Sequence, residues 1–127
     1  MGLDQYAYKR KVKWSKDYKT RITRDNQISY WRKHNRLQGY MEKIWRDKYD
    51  YVDMFNGQDL CLWREDLEDL KQAIENKELP ETRGFFFGGD SYDDYEKFGY
   101  AKQDKEFIKS ALKALDEGYE VIYICSW

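Results

Sequence analysis

Two short segments of this chain concentrate side chains suited to holding a charged or planar molecule. The first is Tyr30-Trp31-Arg32-Lys33-His34-Asn35. Arginine grips phosphate through a bidentate fork, lysine adds a mobile point charge, and an indole face stacks on a planar base. Trp31, Arg32, Lys33 and Asn35 are therefore candidates for a phosphate-bearing or planar ligand. The competing reading turns Tyr30 and His34 into the core and leaves Arg32 and Lys33 as a solvated edge. The second segment is Gly84 to Glu96, GFFFGGDSYDDYE. Glycines on both sides let the backbone turn sharply or approach another group closely. Three successive phenylalanines in an extended chain cannot all face one core, because neighbours point to opposite sides. Phe86 and Phe87 are thus candidates to line a pocket, with Tyr92 and Tyr95 as further rings. Asp90 and Asp94 offer acceptors for hydroxyls. Here the competing reading is a solvated acidic turn after a buried strand.

Other chemistries find less support. A carboxylate pair such as Asp4 with Asp90 or Asp94 would suit general acid/base catalysis, but a chain with 24 acidic residues offers many such pairs. Neither a Ser/His/Asp nor a Cys/His set can be assembled around the single His34. A calcium loop needs DxDxDG spacing with a distal Glu, which the 90–96 segment lacks. Gly88-Gly89 is not followed by the Lys and Ser/Thr of a phosphate loop. No metal and no cofactor is expected. Cys61 and Cys125 lie far apart in a chain that opens without a secretory signal, and read as reduced thiols.

The elements that must position these residues are drawn from 127 residues, 37% of them charged, with a net charge of −1. Leu, Ile, Val and Phe number only 25, but 5 Trp, 12 Tyr and 6 Phe supply large rings that replace the missing aliphatics in a core. Charge is uneven: residues 1–48 carry 14 basic and 5 acidic side chains, whereas 49–127 carry 9 and 19. Such asymmetry fits a basic arm, an acidic surface for a basic partner, or two halves that face each other. The longest apolar runs fall far short of the ~20 residues that cross a bilayer, so no membrane partner is expected.

Residues Gly2 to Val12 alternate weakly through Leu3, Tyr6 and Tyr8 and predict an opening strand. The basic stretch 13–24 reads as a loop or hairpin. Tyr30, His34, Leu37, Met41 and Ile44 form a stripe at spacings of 4, 3, 4 and 3, which predicts a helix over about 27–48 capped by Asp25 or Asn26. Asn56-Gly57 marks a turn, and Leu60-Cys61-Leu62 a short strand. Leu67, Leu70 and Ile74 predict a helix over 64–77, whose region Pro80 ends. A third helix over 101–117 follows from Phe107, Ile108, Ala111, Leu112 and Leu115, with Gly118 as its cap. Tyr119 to Cys125 is a final strand. The chain therefore reads as one α+β domain over 1–127, a small mixed or antiparallel sheet packed by about three helices, in the order β-α-β-α-(β)-α-β.

At these same motifs the sequence resembles a family of small bacteriophage and prophage proteins. These open MGLDxY, carry YWRKxN and FFFG followed by acids and tyrosines, and close on an aromatic strand near Ser-Trp. Here the matching residues are Met1 to Tyr6, Tyr30 to Asn35, Gly84 to Tyr95, and Ser126-Trp127. Some members are labelled phosphoglycerate kinase, which this chain is too short to be. Trp63-Arg64 and Arg36-Leu37-Gln38 depart from the family pattern outside the two segments above. The resemblance implies a phage origin, a host bacterial cytoplasm, and an accessory role against host defence. Joined to the residue chemistry, it leads to an expected function: binding a small anionic, nucleotide-like ligand without turnover, and so sequestering a host immune signal. One alternative is a protein-binding inhibitor whose acidic, aromatic surface covers a host enzyme. A second is a carboxylate-dependent enzyme acting on a nucleotide or sugar. Direct binding to DNA or RNA is disfavoured by the acidic second half, and the aromatic terminal strands allow a homo-oligomer.

Overall fold

The computed structural model describes residues 3–11, 26–49, 54–80 and 99–127. Among them are four strands and three helices: β1 (Asp4–Lys11), β2 (Gln27–Arg32), α1 (Asn35–Tyr49), β3 (Leu60–Leu62), α2 (Arg64–Glu75), α3 (Tyr100–Asp116) and β4 (Tyr119–Ser126). All strand pairs are antiparallel, in the order β2-β1-β4-β3. The two strands nearest the ends of the sequence, β1 and β4, thus pair at the centre, from Asp4↔Ser126 to Lys11↔Tyr119. This is the α+β architecture expected from the sequence.

Strand alternation sorts the sheet into two faces. Leu3, Gln5 and Ala7 point to the helix side with Trp31, Leu60, Leu62, Val121, Tyr123 and Cys125, and all of these are buried. Each helix lays a stripe on them: Leu37, Met41 and Trp45 from α1, Leu67, Leu70 and Ile74 from α2, Phe107, Ile108 and Ala111 from α3. Burying one such side chain is worth roughly 1.5–3 kcal/mol. Rings supply much of the core, as the composition suggests. Trp31 meets Phe107 edge-on at 4.9 Å between centroids, and Phe55 lies between Trp45 at 5.2 Å and Tyr123 at 6.0 Å.

The structure corrects one element. Residues 27–32 form β2, and the helix begins only at Asn35, where the Gln38 N–H reaches the His34 carbonyl at 3.1 Å. The 4-3-4-3 stripe is helical from Leu37 onward; Tyr30 belongs to a strand. Two things override the helical spacing. Lys33 has φ +55°, a left-handed value that no α-helix accommodates. The outer edge of β1 also requires hydrogen-bonding partners, and QISYWR supplies them with β-branched and aromatic residues. Asn26 consequently precedes a strand instead of capping a helix.

The remaining boundaries fall within two residues of expectation. Gly118, at φ +87°, closes α3, and Gly57, at φ +75°, makes the expected turn. α2 stops at Glu75, well before Pro80. It ends in a Schellman arrangement around Lys77, with Glu78 N–H to Ala73 O at 2.8 Å and Lys77 N–H to Ile74 O at 3.3 Å. The basic stretch 13–24 and the Gly84–Glu96 segment lie outside the described residues. No described helix is long and apolar enough to cross a membrane.

Candidate functional site

The turn between β2 and α1 carries the first of the two sequence segments, and a buried polar network stands behind it. Asp104 projects from the apolar face of α3 and is fully buried. Its two carboxylate oxygens accept from the Trp31 indole Nε1 at 2.9 Å and from His34 Nε2 at 2.7 Å. The Tyr100 ring stacks on the His34 imidazole at 4.3 Å, nearly parallel. From β1, the Gln5 amide brackets the His34 backbone, accepting from its N–H at 2.9 Å and donating to its carbonyl at 3.0 Å. Gln5 also donates to the Tyr123 hydroxyl, which donates to Gln38 Oε1 at 2.6 Å, and Gln38 donates to the Cys125 sulfur at 3.2 Å. Every donor named in this network meets an acceptor, which favours a rigid arrangement over a destabilising one.

That network fixes a turn whose outward side chains are basic. Lys33 N–H donates to the Leu3 carbonyl at 2.8 Å, the Tyr100 hydroxyl to the Arg32 carbonyl at 2.6 Å, and the Gln103 amide to the Tyr30 carbonyl. The backbone is held from β1 and from α3, while the Arg32 and Lys33 side chains are exposed. On the sheet face away from the helices, register places Asp4 opposite Arg32, and Tyr6 between Tyr30 and Ile124. Tyr6 lies 5.1 Å from Tyr30 and 6.1 Å from Tyr8 between ring centroids. Tyr30 is 40% exposed. Its hydroxyl donates to Asp4 at 2.6 Å, and that bond to a carboxylate raises the phenol pKa. Arg10, further along this face, is neutralised by Glu120 at 2.9 Å. Arg32 has no carboxylate within ion-pair distance among the described residues.

The expected site residues divide accordingly. Arg32 and Lys33 are on the surface together. Trp31 is not: it is 1% exposed, on the inner face, edge-on to Phe107, so it cannot stack on an outside base. Asn35, 3% exposed at the start of α1, is also turned inward. Phe86, Phe87, Asp90, Tyr92, Asp94 and Tyr95 lie outside the described residues. The residues that bracket them in sequence do attach here: the Arg36 guanidinium donates to the Leu79 carbonyl at 2.8 Å, and Tyr100 holds Arg32. Both thiols are pushed up by burial, Cys125 to about 11, so neither is a ready nucleophile. No group of three metal-ligating side chains occurs among the described residues.

Two parts of this arrangement were not expected from the sequence. Tyr6 and Tyr8 carried a signal, since their i, i+2 spacing puts both rings on the face opposite Leu3 and Ala7. Asp104 carried another, being an acid three and four residues before Phe107 and Ile108 on the apolar stripe of α3. Comparison with protein-family models, with curated proteins and with solved structures yields no match to this chain.

Proposed function

We propose that this protein binds, without turnover, a small anionic nucleotide-like ligand on the outer sheet face beside the β2–α1 turn. The observation that carries the reading is an exposed Arg32 guanidinium, in no ion pair with a described carboxylate, next to the exposed Tyr30 ring and the half-buried Tyr6 ring on a turn held from two sides. A tyrosine face takes a base, a guanidinium fork takes a phosphate, and Lys33 adds a second positive charge. Tyr30 and Tyr6 thereby assume the stacking role first assigned to Trp31. Binding is favoured over turnover because the His34–Asp104 pair is sealed in the core and burial keeps both thiols protonated. In the phage setting implied by the sequence motifs, the candidate ligand is a host signalling nucleotide and the role is its sequestration. The test is thermal unfolding with a panel of cyclic and ADP-ribose-type nucleotides. A ligand at 100-fold over its Kd adds about 2.7 kcal/mol of apparent stability. Arg32→Ala should cut that gain to about 1.4 kcal/mol or less, and no gain with any member of the panel would count against the proposal.

A second reading, an inhibitor that covers a host protein, draws on a different surface. Trp63 is 59% exposed, with the Lys48 ammonium 3.7 Å from its ring centre. It heads α2, whose Glu65, Glu68 and Asp69 are exposed, above a cleft of about 550 Å³ between α1 and α2. An exposed tryptophan at the head of a helix with exposed acids suits a basic partner surface. Salt-sensitive capture of one host protein, lost in Trp63→Ala, would favour it.

A further inference from the structure

The groove between α2 and α3 is lined by lysines and aliphatic side chains. It encloses about 450 Å³, and Ile74, Ile108 and Leu112 form its floor. Lys71 stands on one rim, and Lys105, Lys109 and Lys113 stand along the other. These four lysines are exposed, and none forms an ion pair among the described residues. Of the two acids at the groove, Asp116 is engaged by Arg64, which leaves Glu75 against four positive charges. The groove therefore carries net positive charge in a chain whose second half is strongly acidic overall.

Lys105, Lys109 and Lys113 follow one another at intervals of four, which on a helix spaces the charges by about 6 Å. Like charges at this spacing weaken an isolated helix. The same spacing is complementary to carboxylates at i, i+4 and i+8 on a second helix. Lysine stems also extend the apolar walls while their ammonium groups remain at the rim. The floor holds aliphatic side chains and no ring, so nothing in it stacks on a base, in contrast to the tyrosine face.

We infer that this groove docks an acidic amphipathic helix of a partner protein, with its apolar stripe on Ile108 and Leu112 and its carboxylates on the lysine rims. The mode is helix-in-groove recognition, with charge complementarity setting orientation and making association salt-sensitive. The inference is independent of the nucleotide proposal, because the two sites share no residue.

The probe is a fluorescein-labelled synthetic peptide of about 18 residues, long enough to form a helix, with a leucine stripe flanked by glutamates at four-residue intervals. A second peptide carries Lys in place of every Glu. Fluorescence anisotropy with the full chain should show saturable binding of the acidic peptide, weakened about tenfold on going from roughly 50 mM to roughly 300 mM salt. The double variant Lys109→Glu with Lys113→Glu should lose at least about tenfold in affinity. Both positions are exposed, and its circular dichroism and Tm establish that it is folded. Arg32→Ala should leave peptide binding unchanged. No saturable binding, equal binding of the lysine peptide, or full affinity in the folded double variant would each overturn the inference. Lysine-dependent uptake of dodecanoate without peptide binding would overturn it too, by assigning the groove to a small amphiphile.

Discussion

Lys33 and Lys77 share one backbone state, φ +55° in each case, and reach it for different reasons. A left-handed conformation costs an L-residue about 1–2 kcal/mol. At Lys77 the cost is offset locally, by the two hydrogen bonds that terminate α2. At Lys33 no helix is being closed. The turn is held by groups far away in sequence: Leu3 just before β1, Gln5 from β1, and Tyr100, Gln103 and Asp104 from α3. One turn is a stop signal readable from its neighbours. The other is strain imposed by tertiary structure, and it presents two exposed cations beside a tyrosine face. Strain that the surroundings over-determine is the pattern found at binding sites.

The largest effect should come from removing the anchor of the Lys33 turn. Asp104→Ala leaves the Trp31 and His34 donors buried without their acceptor, and should cost about 3–5 kcal/mol in urea unfolding. A loss below about 1 kcal/mol would mean that the turn does not depend on α3, and the contrast with Lys77 would collapse. Next comes alkaline pH. Burial raises the Tyr123 hydroxyl well above 10.0 and the Cys125 thiol from 9.0 to about 11. A raised pKa favours the protonated native state, so its stabilisation is complete below the unfolded value and lost as pH climbs through the folded one. Stability should fall between about pH 9 and about pH 11 through Cys125, and from about pH 10 upward through Tyr123, by up to about 1.4 kcal/mol per pH unit for each group. A urea midpoint that stays flat over this range would contradict the network. The Lys77 turn contains neither group and adds nothing to this slope.

Arg32→Ala should weaken nucleotide binding at least tenfold, equivalent to about 1.4 kcal/mol, without changing the urea midpoint. The smallest effects sharpen the comparison most. Lys33→Gly and Lys77→Gly each relieve a left-handed backbone and should stabilise by up to about 1 kcal/mol. Lys33→Gly should also weaken the ligand a few-fold, and Lys77→Gly should not. Calorimetry of both variants separates them.

Much of this fold was legible in the sequence. The α2 and α3 stripes, the alternation of β1, the short β3 and the closing β4 all lay where periodicity put them. β2 was hidden because Tyr30 and His34 happen to continue the spacing of a genuine helical stripe. What makes them a strand and a turn is the unpaired edge of β1, a long-range demand that no local window contains. The candidate site was legible in its charges and obscure in its rings. Arg32 and Lys33 stood out by type. The burial of Trp31 depends on the Gln5↔Trp31 register and on Phe107, contacts made only after the chain has folded. Of the tyrosines proposed to take over its role, Tyr6 was expected on an ordinary strand and Tyr30 on a helix.

The central claim is that the tyrosine-and-arginine face takes a nucleotide-like anion, and amide chemical-shift mapping of the full chain tests it most directly. On titration with the nucleotide that gives the largest thermal shift, the amides of Asp4 to Tyr8 and Tyr30 to Arg36 should move together. Those of Lys71 to Glu75 and Lys105 to Asp116 should stay in place. Shifts confined to the α2–α3 groove, or a spectrum unchanged at saturating nucleotide, would contradict the account.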